Sequence, residues 1–282
     1  MENTAIITAL KSFIKVKGSQ NKAATALGIS AATLSNILNG KTENIADEMW
    51  RMLAAKTGAN STGKKQWLIA ETAAYKQLMF IFENAQKDSL ACAVCGEAGC
   101  GKSTAAAEYA NTHQNVAVLT CAEYWNRKQF LENLLTAFGI GSDGLSVSEM
   151  MDTATSALKR TETPLIILDE ADKLSDSVLY FFITLYNQLE DVCGLVLMAT
   201  DFLKKRIEKG VKNCKKGYKE IYSRIGRKFI CITAATLDDI AAACTANSLS
   251  EASDIKRIYA DSYGDFRRVK RAVWATLKQK AA

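Results

Sequence analysis

One eight-residue segment constrains the fold of this chain more than any other feature. It reads Gly96-Glu97-Ala98-Gly99-Cys100-Gly101-Lys102-Ser103, follows the apolar run Leu90–Cys95 and precedes the helix-forming run Thr104–Ala110. Glycines at these spacings let successive backbone N–H groups point inward, and the N-terminus of the next helix adds partial positive charge. A strand, a phosphate-binding loop and a helix in this order predict a site for a nucleoside triphosphate.

The residue types in the loop indicate how it would bind a triphosphate and its metal ion. Lys102 is expected to reach the β- and γ-phosphates, and the Ser103 hydroxyl is expected to ligate Mg²⁺. We therefore expect ATP and Mg²⁺ as cofactors. The other residues expected to hold the nucleotide are Gly96, Gly99, Gly101 and Thr104.

Composition limits the class of protein. A chain of 282 residues is long for one domain and comfortable for two. Its apolar runs fall short of the roughly 20 residues of a membrane span, so no membrane association is expected. The first ten residues lack the basic stretch and continuous apolar segment of a signal peptide.

Cysteine usage indicates the compartment. Most of the eight cysteines lie in predicted core strands, as Cys92, Cys95, Cys193 and Cys231 do, or in the phosphate loop. This placement predicts reduced thiols and a cytoplasmic location. Cys92 and Cys95 also have the spacing of half a zinc site, but no second pair with ligand spacing follows, so we favour two small apolar side chains buried on a strand.

The segment Gln20–Gly40 reads as a helix, a tight turn and a second helix. Gly28 supplies the turn and Ser30 can cap the second helix. This pattern resembles the helix-turn-helix of phage repressors, whose second helix faces the major groove. The exposed side chains there are short and nearly uncharged, so we predict weak, assisting DNA contact through Thr33 and Asn36. Use of the unit in protein binding is the alternative.

Periodicity divides the chain into an all-α helix-turn-helix domain (1–57), a linker (58–65), an α/β nucleotide-binding domain (66–233) and a helical lid (234–282). In the α/β domain apolar runs alternate with helical stretches, which is typical of a parallel sheet covered on both faces. The predicted strands are Leu90–Cys95, Val116–Cys121, Leu165–Asp169, Leu195–Ala199 and Lys228–Ile232.

Polar side chains end two of these strands. Asp169 and Glu170 follow the third strand, where Asp169 is expected to hold Mg²⁺ and Glu170 to polarise the attacking water. Two acids here are also compatible with a simple loop start. Thr200 ends the fourth strand, between that pair and the phosphate loop, so it is a candidate sensor of the γ-phosphate or an ordinary strand-end threonine.

Two arginine pairs are further candidates. Arg224 and Arg227 precede the last strand, and an arginine there is placed to reach the nucleotide of a neighbouring subunit. We favour Arg224. In the lid, the segment Gly264-Asp265-Phe266-Arg267-Arg268 is expected to bring Arg267, or alternatively Arg268, to the phosphates; a solvent-exposed basic helix start is the other interpretation.

Taken together, these motifs resemble those of the AAA+ ATPase superfamily, and the resemblance covers residues 66–280. A helix-turn-helix unit joined to a compact module of this kind is similar to the phage Mu transposition protein B family and, more distantly, to the TnsC and IstB transposition regulators. The resemblance implies a P-loop core with a five-stranded parallel sheet and a small helical lid. It implies the roles given above for Lys102, Ser103, Asp169, Glu170, Thr200, Arg224 and Arg267.

The resemblance also implies an activity. Such proteins bind DNA with ATP, form helical filaments on it, and deliver it to a transposase that they stimulate. DNA and transposase trigger the hydrolysis that disassembles the filament. The implied partners are double-stranded DNA, a transposase and further copies of the chain.

Two segments are then expected to line the DNA channel. One is Tyr124–Lys128, where an aromatic pair precedes Arg127 and Lys128. The other is Leu203–Lys219, which has eight basic residues, including Lys204 and Lys205, against one acid. Phosphate contact of this kind is blind to base sequence. A basic run is also often a solvated face.

Two other functions remain open from the sequence. A replication helicase loader or initiator-like ATPase would use the same core and would co-purify with a hexameric helicase. A transcription regulator with a nucleotide-switch core would prefer an operator sequence, which the short side chains of the second helix argue against.

Overall fold

The computed structural model describes residues 2–43, 45–59 and 67–281. The predicted linker, residues 58–65, lies mostly outside these ranges. In the described part of the chain no helix is both long enough and apolar enough to cross a membrane.

Residues 2–59 contain a compact helical unit. Gly28 ends its second helix with a left-handed φ of 71°, and the Ser30 side chain caps the third by accepting from the Thr33 N–H, both as the sequence predicts. Apolar faces of all its helices pack together, for example through Leu27, Leu34 and Trp50. The helices described in this range are α1 (Glu2–Lys17), α2 (Gln20–Leu27), α3 (Ala31–Leu38) and α4 (Asp47–Thr57).

Residues 67–281 contain a parallel sheet of five strands, which confirms the predicted fold class. The strands are β1 (Ala91–Cys95), β2 (Val116–Thr120), β3 (Leu165–Asp169), β4 (Gly194–Ala199) and β5 (Phe229–Cys231). Their order across the sheet is β2-β3-β4-β1-β5. Strand β5 is shorter than predicted because only residues 229–231 pair with β1.

Helices cover both faces of the sheet. One face packs on α5 (Ala73–Lys87) and α6 (Lys102–Thr112). The opposite face packs on α7 (Arg127–Ala137), α8 (Val147–Lys159), α9 (Asp176–Leu189), α10 (Asp201–Lys212) and α11 (Tyr218–Arg224). A smaller apolar cluster unites the C-terminal helical unit, which consists of α12 (Leu237–Ala246), α13 (Ala252–Ser262) and α14 (Phe266–Ala281).

The strand geometry decides between the two interpretations of the C-x-x-C pair. Cys92 and Cys95 are three residues apart on β1, so their side chains point to opposite faces of the sheet. Cys92 packs with the α5 side and Cys95 with the α7 side. The pair therefore cannot ligate one zinc ion, and burial raises the pKa of Cys92 to about 12. The prediction that Cys231 is buried was wrong, since it lies exposed on the edge strand.

The N-terminal helical unit packs against the end of α7. Lys17 Nζ donates to Ala137 O at 3.0 Å, and burial lowers the pKa of Lys17. Gly139, with φ of 71°, follows this helix, and a Cβ placed on it would overlap the backbone of Lys22. The contact therefore requires a glycine at position 139.

The segment 67–73 ties the sheet to the C-terminal helical unit. Leu68 exchanges two hydrogen bonds of 2.9 Å with the side chain of Asn247. Ala73 N donates to Asp239 Oδ1 at 2.7 Å, and the Trp67 and Trp274 rings meet edge to face with centroids 6.3 Å apart. This segment, here called the strap (residues 67–73), crosses beside the phosphate loop.

Candidate functional site

The phosphate loop joins β1 to α6 in the expected strand-loop-helix order. Gly99 and Gly101 adopt φ of 84° and 98°, a left-handed region that favours glycine. These two residues turn the backbone so that Lys102 begins α6. The sequence pattern therefore predicts the local geometry correctly.

The Lys102 side chain is folded over the loop. Its Nζ donates to Gly96 O at 2.8 Å and to Glu97 O at 2.9 Å, and only 8% of the residue is exposed. Cys100 Sγ lies 3.6 Å from the same nitrogen. The loop thus holds its ammonium group beside the start of α6, where a phosphate would bind.

The acidic pair stands at the carboxyl end of β3. Asp169 is 3% exposed, and its Oδ1 accepts the Glu170 N–H at 3.0 Å. Glu170 adopts a left-handed φ of 54°, which turns the chain out of the strand. Its carboxylate is paired with Lys173 Nζ at 2.6 Å, and this hydrogen bond raises the pKa of Lys173.

Thr200 lies between the acidic pair and the phosphate loop because β4 separates β3 from β1. Its Oγ1 donates to Asp172 Oδ2 at 2.9 Å. The same oxygen accepts from Phe202 N, and Thr200 thereby caps the N-terminus of α10. The threonine therefore makes the contacts of an ordinary strand-end residue, and it also lines the cavity described next.

A cavity of about 590 Å³ lies where these elements meet. Its size falls within the roughly 300–1,000 Å³ of small-molecule sites. Of the residues singled out from the sequence, Gly96 borders Lys102 but does not line the cavity. Those that do line it are Gly99, Gly101, Lys102, Ser103, Thr104, Asp169, Glu170, Thr200 and Arg267.

The structure separates the two lid arginines. Arg267 lines the cavity, whereas the Arg268 guanidinium lies over the Tyr263 ring, 5.2 Å from its centroid. Arg224 and Arg227 do not line this cavity. Arg224 donates to Asn187 Oδ1 at 2.7 and 3.0 Å, and Arg227 is exposed with a left-handed φ of 56°.

Sequence reasoning missed one side of the cavity. The strap and the start of α5 contribute Trp67, Ile69, Thr72 and Tyr75. Aromatic and aliphatic side chains here suit the flat apolar base of a nucleotide. Trp67 also lies beneath the Lys270 ammonium group, at 6.0 Å. In the sequence, only the aromatic residues of this stretch could have suggested a binding role. Nothing in the stretch indicates that it lies beside the phosphate loop.

The donor set fits a triphosphate with magnesium. Ser103 and Asp169 both line the cavity and carry hard oxygen atoms. Mg²⁺ is commonly held by one or two such groups together with substrate phosphates. The described residues offer no cluster of three or more His, Cys, Asp or Glu side chains for a metal held by protein alone. Lys102, Lys173, Arg267 and Lys270 give the same cavity positive charge.

The first candidate DNA segment is less aromatic at its surface than predicted. Tyr124 is 76% exposed, but Trp125 is 8% exposed and packs in the core, so the expected aromatic pair was wrong for Trp125. Arg127 lies over the Phe181 ring at 5.5 Å and is exposed. Lys128 is exposed and 3.8 Å from Glu132.

The second candidate segment, Leu203–Lys219, forms most of α10 and the start of α11. Lys205 is exposed and Lys204 is half-buried. Arg206 is instead part of a half-buried network, in which it donates to Asp176 Oδ1 at 2.5 Å and to Leu174 O at 2.7 Å. Lys215 pairs with the same aspartate at 2.5 Å, so part of the basic run neutralises an acid of its own chain.

The candidate DNA residues of α3 are small and partly engaged. Thr33 is half-buried, and its hydroxyl lies 2.8 Å from Ser30 Oγ. Asn36 is exposed. This arrangement agrees with limited base contact by the helix.

Comparison with known proteins adds to this geometry. Residues 85–207 match the family model described as an AAA domain. The chain is 28% identical over 214 residues to the Mu-like prophage FluMu DNA transposition protein B of Haemophilus influenzae, covering 74% of this chain and 73% of that protein. The chain resembles the Mu transposition protein B family.

Other relatives agree with this resemblance. The ATP-dependent target DNA activator B of Escherichia phage Mu is 27% identical over 209 residues, which cover 71% of this chain and 64% of that protein. The activator B of Escherichia phage D108 matches to the same extent. The chain thus spans slightly less than two thirds of these two phage proteins.

Proposed function

We propose that this chain is an ATP-dependent, largely sequence-independent DNA-binding ATPase that coats target DNA and activates a transposase. The observation that carries the proposal is the single cavity in which Lys102, Ser103, Asp169 and Glu170 meet. The phosphate loop lines this cavity together with the buried carboxylate of Asp169 and the solvent-reachable carboxylate of Glu170. Hydrolysis of a phosphoanhydride needs these parts together.

Each residue then has a distinct role. Lys102 binds the β- and γ-phosphates, and Ser103 and Asp169 hold magnesium, which neutralises charge that builds on the phosphates. Glu170 accepts a proton from the attacking water through the carboxylate oxygen that does not pair with Lys173. Thr200 lines the same cavity as the acidic pair, and there it orients that water or the γ-phosphate.

The proposal includes assembly of copies along DNA. Arg224 and Arg227 lie outside the cavity of their own chain, and Arg224 is half-buried against Asn187. In the proposed filament Arg224 reaches the cavity of the neighbouring copy. Arginines supplied in this way accelerate hydrolysis by about 10³–10⁵ where they have been measured.

The proposed DNA contacts are made to phosphates. Arg127, Lys128 and Lys205 are exposed cations, and Lys204, the neighbour of Lys205 in the sequence, is half-buried. Thr33 and Asn36 of the N-terminal unit assist. Each phosphate that is neutralised steepens the salt dependence of binding by about 0.9 in log–log slope on duplex DNA.

The partners are proposed from the relatives. Their printed names describe DNA transposition and ATP-dependent activation of target DNA. By analogy this chain binds double-stranded DNA and a transposase, which stimulate its ATPase activity, in the cytoplasm of the host cell. A helicase loader has no support from these names.

Electron microscopy of the protein with long duplex DNA tests the proposal. With ATP and Mg²⁺ we expect continuous coating, and with ADP we expect bare DNA. Discrete rings in ATP would contradict the filament and favour a helicase loader. DNA that stays bare in both nucleotides would contradict the proposed function.

A further inference from the structure

The C-terminal helical unit contacts the phosphate loop through the turn that begins α14. Phe266 N donates to Gly99 O at 3.0 Å. On the other side of the same glycine, a Cβ placed on Gly99 would overlap the Asp265 carboxylate. Position 99 therefore needs glycine for two reasons, its left-handed φ and the close approach of Asp265.

This contact uses a backbone group that a helix leaves free. The first N–H groups of a helix have no partner within it and are ordinarily satisfied by a cap or by water. In α14 the Arg267 N–H donates to Asp265 Oδ1 at 2.8 Å, which is the usual cap. The preceding N–H, that of Phe266, donates to the phosphate loop instead.

The direction of the Gly99 carbonyl depends on the backbone conformation of the loop. A change of ψ at Gly99 or of φ at Cys100 would rotate the peptide group that carries this carbonyl and turn it away from Phe266. The position of α14 is therefore coupled to the conformation that the loop needs for binding phosphate. Arg267, one residue further along, lines the cavity on the same side.

We propose that Gly99, Asp265 and Phe266 form a latch that positions Arg267 on the triphosphate. In this latch Asp265 and Gly99 are positioning residues, and the hydrogen bond from Phe266 N to Gly99 O holds the two segments together. The proposal rests on the proposed nucleotide site. It predicts that opening the latch removes the contribution of Arg267 to binding of the γ-phosphate and leaves binding of a diphosphate nearly unchanged.

A matched pair of substitutions tests the hydrogen bond from Phe266 N to Gly99 O separately from the Phe266 ring. Phe266→Pro removes the N–H at the first helical position, where proline fits a helix well. Phe266→Ala keeps the N–H and removes the ring, which packs against the C-terminal cluster. We measure binding of fluorescent mant-ATP and mant-ADP to both variants in Mg²⁺.

The latch predicts that Phe266→Pro binds mant-ATP about tenfold more weakly than Phe266→Ala, which corresponds to one charge-assisted hydrogen bond to phosphate. The two variants should bind mant-ADP within about twofold of each other. Equal mant-ATP affinities would overturn the proposal. If the parent protein binds neither nucleotide, the nucleotide site itself fails, which is a different result.

A second readout separates positioning from general stability. Arg267→Ala should weaken mant-ATP binding in the parent and in Phe266→Ala, but add little to Phe266→Pro, because coupled residues are not additive. Full additivity would overturn the proposal. If Phe266→Pro fails to fold, Asp265→Ala replaces it and Asp265→Asn, which keeps a cap, is its control. Equal mant-ATP affinities of those two variants would likewise overturn the latch.

Discussion

Replacing Arg206 by Met is expected to destabilise the fold and to leave DNA binding nearly unchanged. Although Arg206 lies within the basic run, only 18% of its side chain is exposed. It donates to Tyr218 Oη and Asp172 O at 3.1 Å, to Leu174 O at 2.7 Å and to Asp176 Oδ1 at 2.5 Å. These bonds join α10 to α11 and to the turn that follows the acidic pair.

The expected size follows from these contacts. Removing the guanidinium leaves two backbone carbonyls without this donor and removes one of the two basic partners of Asp176. Unsatisfied groups of this kind cost about 1–3 kcal/mol each, and partial access to water reduces the sum, so we expect about 2–4 kcal/mol. At roughly 2–4 °C per kcal/mol, the melting temperature should fall by about 4–16 °C.

The control is the adjacent residue. Lys205→Met removes an exposed charge and should change stability by less than about 0.5 kcal/mol. If Lys205 contacts a DNA phosphate, its loss should flatten the salt dependence of binding by about 0.9 in log–log slope. Thermal melts and DNA titrations at several salt concentrations measure both effects. The reasoning is refuted if Arg206→Met melts with the parent and flattens the slope as Lys205→Met does.

Three further predictions follow from the site and its surroundings. Glu170→Gln should bind ATP and keep DNA coated after ATP is supplied, because the water loses its base; coating that disperses at the parental rate in electron micrographs would remove Glu170 from that role. Joint replacement of Arg127 and Lys128 by Ala should weaken binding equally across DNA sequences and reduce the salt slope by up to about 1.8, and an unchanged slope in titrations would exclude these contacts. Burial raises the pKa of Asp176, but the hydrogen bonds from Lys215, Arg206 and Tyr218 lower it by more. The net pKa therefore lies well below the ordinary 3.8. The contribution of Asp176 to stability is therefore present above about pH 4 and is lost progressively as the pH falls from there towards the folded pKa. Melts between pH 5 and 3 should accordingly drop more in the parent than in Asp176→Asn, and parallel curves would contradict this.

The sequence predicts the part of the site that depends on local pattern. The phosphate loop and the Asp169-Glu170 pair each follow an apolar strand, and a parallel sheet brings such strand ends to one edge. The position of Thr200 between them followed from the same logic, and the strand order confirms it. Short-range pattern is sufficient for these residues because the strand itself fixes where they lie.

The sequence does not predict contacts between distant segments. Leu68 and Asn247 are 179 positions apart, and neither residue type indicates the other. In the sequence Arg206 cannot be distinguished from the other basic residues of Leu203–Lys219. Only the fold shows that it pairs with Asp176. The position of Trp125 beside Tyr124 and two cations predicts a DNA-facing aromatic pair, yet Trp125 packs in the core. Each of these depends on tertiary packing, which periodicity does not contain.

The most direct test of the account is the affinity for duplex DNA measured with ATP, with ADP and without nucleotide, for the parent chain and for Lys102→Ala. We expect tight binding by the parent in ATP alone, and weak binding by the variant under all three conditions, because the proposal assigns to Lys102 the binding of the triphosphate that joins copies on DNA. Equal DNA affinity of the parent in ATP and ADP, or undiminished ATP-dependent binding by Lys102→Ala, would contradict the account.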